Sequence, residues 1–297
     1  MLAIAQSGHT YHYLHWIPSE RGPLVTDYGS LEKEAEDQDH LDNYYREVLE
    51  ELFSKVKNGE PICTFSIDRE NVLISSCFAE EMNSTLIDWH MNQTRDEHLF
   101  EKMDYYHFPF SASTGNVLNM GIPKILRQSF QFSMRLLKSR MNGIGVGIFS
   151  AEEGARQWFH ADSLQRYMIW KVGKKKMDEI LLVENNELTV YCSFHRVGKK
   201  WKLNWNYGDP SETESILSEL ENKLGGDHSE FSIADTVFLY TSEGNMNEVK
   251  QIHSYGIGNV QLLNPLLVLE NTKEEKINEF ATLPLAETGN AFGGVDV

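Results

Sequence analysis

Apolar residues near the N-terminus come in short runs cut by turn residues, the pattern of a β-meander. Leu2–Ala5 is an apolar strand. Gly8 breaks it, and Tyr11, Tyr13 and His15 alternate in a second strand. Arg21-Gly22-Pro23 is turn chemistry before a third strand at 24–28. After the acidic stretch Glu32–Asp39 the spacing becomes three and four. Leu41, Tyr45, Val48, Leu52 and Val56 mark one face of a helix that Asn58-Gly59 closes. Cys63–Ile67 and Val72–Cys77 flank the turn Asp68-Arg69-Glu70-Asn71 and predict a hairpin that would bring Cys63 near Cys77.

Residues 79–100 carry Met82, Leu86, Trp89 and Gln93 at helical spacing. Tyr105–Phe110 and Val117–Ile122 read as strands. Pro123 suits the start of a helix to about Met141, with Leu126, Phe130, Met134 and Leu137 on one side. Gly143–Phe149 reads as a buried, Gly-rich strand, and Ser150 with Glu153 as a capping box. Four strands follow at 167–172, 179–184, 188–195 and 200–206. Ser211 and Glu214 predict a second capping box, opening a helix through Ile216, Leu220 and Leu224. A strand at 236–240, a helix at 246–253, a strand at 260–263 and a helix at 280–291 complete the chain.

Each half thus opens with a meander and continues in α/β alternation, a duplication of topology without a sequence repeat. The 297 residues suit two lobes at about 100–200 residues per domain. With 27 Lys+Arg against 44 Asp+Glu, the net charge is −17. That argues against a general nucleic-acid binder and equally disfavours an anionic membrane surface. Cys63, Cys77 and Cys192 are few and odd in number, as in a reducing compartment. No run approaches the roughly 18 apolar residues of a membrane span, and Met1–Gln6 lacks the basic and apolar parts of a signal peptide. A cytoplasmic protein is the expectation.

Leu86–His90, Tyr105–Phe110, Gly143–Arg156 (GIGVGIFSAEEGAR), Val237–Asn245 (VFLYTSEGN), Val260–Pro265 (VQLLNP) and Ala281–Gly289 follow, in order and spacing, a family's segments. In them the chain resembles the PilM-like type IV pilus assembly proteins, of the FtsA branch of the actin/Hsp70-like ATPases. The resemblance implies an α/β class, as a duplicated actin-like (ribonuclease H-like) bilobed fold with a small α/β insertion in the first lobe. It places the first lobe at 1–160 with the insertion at about 79–142, the second lobe at 161–280, and a C-terminal helix at 281–297 returning to the first lobe.

In that family two β-hairpins and a Gly-rich turn hold ATP. Backbone N–H groups approach the phosphates, and a carboxylate on each hairpin holds Mg²⁺ through water. The resemblance carries these roles to Ser7 and Gly8 in the first hairpin, Gly173 and Lys174 in the second, and Gly244 in the adenosine turn. Gln6 and Lys171 stand where the two carboxylates belong. The expectation is a pseudo-ATPase with degenerate nucleotide motifs, no catalytic or metal-binding residues and no cofactor, ATP being the candidate if any binds. Lys171 and Lys174–Lys176 read as a solvated turn.

Other chemistry reads as packing. His9, Tyr11, Tyr13 and His15 share one strand face, with His12 on the other, and no Cys or carboxylate follows at zinc spacing. His90, His98, Asp104 and His107 form no HExxH pattern, and there is no G-x-S-x-G elbow. Trp201, Trp205 and Tyr207 read as one apolar strand face. By resemblance the partner is the cytoplasmic tail of a membrane protein of a pilus or secretion system, bound between the first lobe and the insertion. No nucleic acid and no direct membrane insertion are expected, and self-association is left open. The alternative is an active ATPase or kinase relative holding Mg-nucleotide between the lobes, with Asp178 and Asp27 as the nearest substitute carboxylates.

Overall fold

The computed structural model describes residues 1–34, 41–56, 61–78, 102–110, 116–173, 177–197, 200–224, 231–242, 244, 246–273 and 284–292. The helix expected over 79–100 lies outside them. The first lobe is built on β1 (Leu2–Ser7), β2 (Thr10–Ser19) and β3 (Gly22–Glu32), an antiparallel meander, followed by α1 (Leu41–Lys55) and β4 (Ile62–Ile67). A small antiparallel sheet follows, of β5 (Leu73–Phe78), β6 (Met103–Pro109) and β7 (Asn116–Pro123), in the order β5-β7-β6. Then come α2 (Lys124–Leu136), β8 (Arg140–Val146) and α3 (Gly147–Phe159).

The second lobe repeats the plan. It runs through β9 (Arg166–Lys171), β10 (Met177–Glu184), β11 (Glu187–Val197), β12 (Lys200–Gly208), α4 (Pro210–Leu224), β13 (Thr236–Tyr240), α5 (Met246–His253) and β14 (Val260–Leu262). β15 (Glu270–Asn271) returns to the first lobe and pairs with β3. The sheet orders are β15-β3-β2-β1-β4-β8 and β12-β11-β10-β9-β13-β14. In both, the meander lies at one side, and its first strand pairs in parallel with the strand that follows. The duplication of topology read from the sequence is therefore present, with β15 taking in the first sheet the edge place that the fourth meander strand, β12, takes in the second.

Apolar faces join these elements as the helical spacing requires. Phe130 of α2 meets the rings of Phe65 and Tyr45 at centroid distances of 3.8 and 4.0 Å, locking α1 and α2 onto β4. One core is shared by the lobes, with Tyr167, Ile169, Leu181 and Phe238 packed among Phe110, Ile148 and Trp158. A second core fills the space under α4 and α5, around Trp170, Phe194, Trp201, Ile216 and Val249. No helix among the described residues is long and apolar enough to cross a membrane.

Four local expectations are corrected. Residues 63–67 and 72–77 do not pair as a hairpin. β4 is buried from Cys63 to Ile67 and runs parallel between β1 and β8, while β5 pairs with β7 in the small sheet, so Cys63 and Cys77 stand in different sheets. The strand expected to reach Phe149 ends at Val146, and α3 starts at Gly147; Ser150 does not cap it, because its hydroxyl accepts the hydroxyl proton of Ser66 at 2.8 Å. The helix α4 is capped by Asp209, whose Oδ1 accepts from the Ser211 N–H at 2.8 Å, so Ser211 sits in the first turn. A register shift beside Ser193 leaves Asn204 unpaired in β12. It turns Trp201 towards Trp170 and Phe194, and Trp205 and Tyr207 towards Tyr191 on the opposite face.

Candidate functional site: the interlobe cleft and an adjoining groove

The two hairpins that would hold phosphate lie at the ends of β1 and β9. In the first, Gly8 is exposed with φ +56°, and its N–H donates to Asp68 Oδ2 at 2.7 Å. Asp68 sits where β4 ends and caps the short 3-10 turn Arg69–Asn71. Ser7 is buried, with its Oγ 3.5 Å from Ser242 Oγ, and His12 Nε2 donates to the Ser242 carbonyl at 3.0 Å. The first hairpin is thereby tied to the turn after β13 in the second lobe. Burial holds the His12 imidazole down to about 4, only partly offset by that bond.

In the second hairpin the Gly173 N–H donates to Asp178 Oδ1 at 3.3 Å. The other oxygen of Asp178 accepts from Trp170 Nε1 at 3.0 Å and lies 2.9 Å from Arg196 Nε. Burial pushes this carboxyl up to about 6 against the pull of Arg196. Lys171 is not part of a solvated turn. It is 7% exposed, with Nζ 2.8 Å from Glu287 Oε1 in the C-terminal 3-10 turn Ala286–Ala291. The Tyr240 hydroxyl donates to the same oxygen at 3.0 Å. Burial alone would lower the Lys171 ammonium, but the charges of Glu287, Glu179 and Asp68 raise it above its usual value.

Gly244 is exposed at φ +72°, and its carbonyl accepts the N–H of Met246 at the start of α5. Lys174 lies outside the described residues. Ser7 and Gly8 are therefore placed beside the turn that holds Ser242 and Gly244, while Gly173 is turned onto Asp178. Of the substitute carboxylates, Asp178 is enclosed by its own partners and Asp27 pairs with Lys273 at 2.7 Å. Among the described residues no three His, Cys, Asp or Glu side chains converge on a metal position. Sequence reasoning missed Asp68 and Glu287. Asp68 at the end of a fully buried run was the one available signal; Glu287 had none.

A groove of about 590 Å³ adjoins the cleft, between the small sheet, β8 with α3, and the turn joining β10 to β11. Phe108, Phe110, Ile122, Ile144, Phe149 and Leu188 line it, with Glu152, Glu153 and Arg156 among its polar groups. Its size is ordinary for a binding site. Phe110 bridges Leu188 of β11 through backbone, and the Tyr207 hydroxyl donates to the Ile74 carbonyl at 2.9 Å, so the small sheet is fastened to the second lobe. Among the described residues β8 is the outermost strand of the first sheet. Two wall atoms, Thr64 Oγ1 and Asn290 Oδ1, are buried without a hydrogen-bond partner.

No family model matches the chain, and no curated protein matches it. Solved structures do. PilM in a PilM–PilN type IV pilus biogenesis complex is similar at a TM-score of 0.64 and 11% identity, over 100% of this chain and 98% of that one. A Bacteroides thetaiotaomicron protein of actin-like ATPase fold and unknown function has a TM-score of 0.45, at 13% identity over 89% and 90%. The cytoplasmic domain of EpsL, an inner-membrane component of the Vibrio cholerae type II secretion system, also has 0.45, at 7% identity over 97% and 92%. The chain has the bilobed actin-like fold of PilM, with the insertion in its first lobe.

Proposed function

We propose that this chain is a non-catalytic, cytoplasmic actin-like assembly protein that docks the tail of a membrane-anchored pilus or secretion partner. One observation carries the non-catalytic half. The glycine N–H of each hairpin, the donor a phosphate would need, is given to a carboxylate of this chain, Asp68 in one lobe and Asp178 in the other. Asp68 stands at the first hairpin beside the Lys171–Glu287 pair, and Asp178 draws the Gly173 N–H to the other face of the second sheet, away from an incoming phosphate. Mg²⁺ would find no carboxylate at Gln6 or Lys171 to hold its waters. ATP binding and hydrolysis are therefore outside this reading.

The groove supports the docking half. Its aromatic and aliphatic walls suit apolar side chains. The open edge of β8 would accept an added extended strand. In the solved neighbour PilM is seen with PilN, which agrees with a partner here. The test is binding to the cytoplasmic tails of single-span membrane proteins encoded beside this chain's gene. The wild type should retain one of them, and Phe108→Asp should release it without a change in far-ultraviolet circular dichroism. Failure to retain any, or retention by the variant, overturns the docking half.

A further inference from the structure

The pairing register of the second sheet gathers two exposed apolar side chains and two exposed lysines on one face at one end. Met177 of β10 stands opposite His195 of β11, which stands opposite Lys202 of β12. One step outward, Val197 stands opposite Lys200. Directly paired residues, and residues two apart in a strand, share a face, so all five lie together. Met177 is 48% and Val197 57% exposed, and both lysines are exposed. The intervening Arg196 points the other way, into its pairs with Asp178 and Glu248. Glu179, the carboxylate one row inward, accepts the Tyr191 hydroxyl at 2.6 Å.

This end is basic in a chain whose net charge is −17. The patch is the four side chains Met177, Val197, Lys200 and Lys202. We propose that Met177, Val197, Lys200 and Lys202 form a contact with an anionic lipid surface. The apolar pair would enter the boundary between headgroups and acyl chains, while the lysine stems lie along it and their ammonium groups meet lipid phosphates. Charge complementarity selects this occupant, and the apolar pair separates it from nucleic acid, whose phosphate backbone offers such side chains nothing. The acidic remainder of the body would be repelled, so the second lobe would approach the bilayer in one orientation. The proposal does not depend on the groove or on the state of the cleft.

The experiment is flotation of the full chain with vesicles of phosphatidylcholine alone, and with vesicles of phosphatidylcholine and phosphatidylglycerol in equal amounts. Association with the anionic vesicles only, weakening as salt is raised, is expected. At about fivefold per lysine, the double variant Lys200→Gln/Lys202→Gln should bind ~25-fold more weakly. Met177→Ser/Val197→Ser should also weaken binding, and Lys102→Gln on the first lobe should not. The proposal is overturned by absence of association, by equal association with both vesicles, by patch variants that bind like wild type, or by RNA that binds through these lysines in place of vesicles.

Discussion

Lys171 and Glu287 form an ion pair, Nζ to Oε1 2.8 Å, in which both side chains are buried and which joins β9 of the second lobe to the C-terminal turn packed on the first. Removing one partner leaves the other charged and enclosed, which ordinarily costs about 3–5 kcal/mol. Glu287→Gln and Lys171→Met should each destabilise the chain by roughly that amount. The double variant should lose at least about 2 kcal/mol less than the sum of the two. Urea unfolding of the four proteins measures this coupling; simple additivity would show that the contact joins nothing.

Acid should act through His12. Its ring donates from Nε2 to the Ser242 carbonyl, which leaves the buried Nδ1 without a partner. The folded-state value near 4 lies below the unfolded value, so below about 6.5 the unfolded chain takes up a proton that the folded chain refuses. This contribution is present above that pH and is lost as pH falls towards 4, amounting to roughly 3 kcal/mol. Asp178 acts in the opposite sense. Its folded value near 6 lies above the unfolded one, so the folded chain binds that proton first and gains relative stability as pH falls below 6. His12→Gln keeps a donor for Ser242 and should flatten the fall in stability between pH 6.5 and 4. An unchanged profile would mean that His12 is not held neutral.

The hairpin glycines should differ in their response to a methyl group. A Cβ on Gly8 meets nothing within 4 Å, but φ +56° is a left-handed backbone, so Gly8→Ala should cost about 1–2 kcal/mol. A Cβ on Gly173 would stand 1.8 Å from the Met177 carbonyl oxygen, so Gly173→Ala should exceed the ~1–3 kcal/mol of ordinary overpacking. Thermal unfolding of the two variants gives the order. Equal losses would contradict the tight turn at Gly173.

The order of the strands was legible because meander strands announce themselves by alternation and turn residues, and the two halves did so in the same sequence. What misled was the pairing of β4. Cys63–Ile67 alternates apolar with polar residues, yet Thr64 and Ser66 are buried too because both faces are covered, and alternation does not reveal which strand it pairs with. The start of α3 was placed late because Ser150 and Glu153 have capping spacing, although Ser150 is used by Ser66. The single extra residue Asn204 inverted the facing of Trp201 against Trp205, and no local propensity marks a bulge of that kind. At the cleft, the absence of acidic residues at Gln6 and Lys171 was visible in the sequence. The carboxylates Asp68 and Glu287 were not, since they come from segments far along the chain and meet the hairpins only in the folded molecule.

The central claim is that the phosphate-facing donors of both lobes are already used within the chain. Thermal unfolding with ATP, with and without Mg²⁺, tests it most directly. A nucleotide present at 100 times its Kd would add about 2.7 kcal/mol of stability and raise the midpoint by several degrees. The arrangement around Gly8–Asp68 and Gly173–Asp178 leads to an unmoved midpoint at millimolar ATP in both conditions. A Mg²⁺-dependent rise of that size would contradict it.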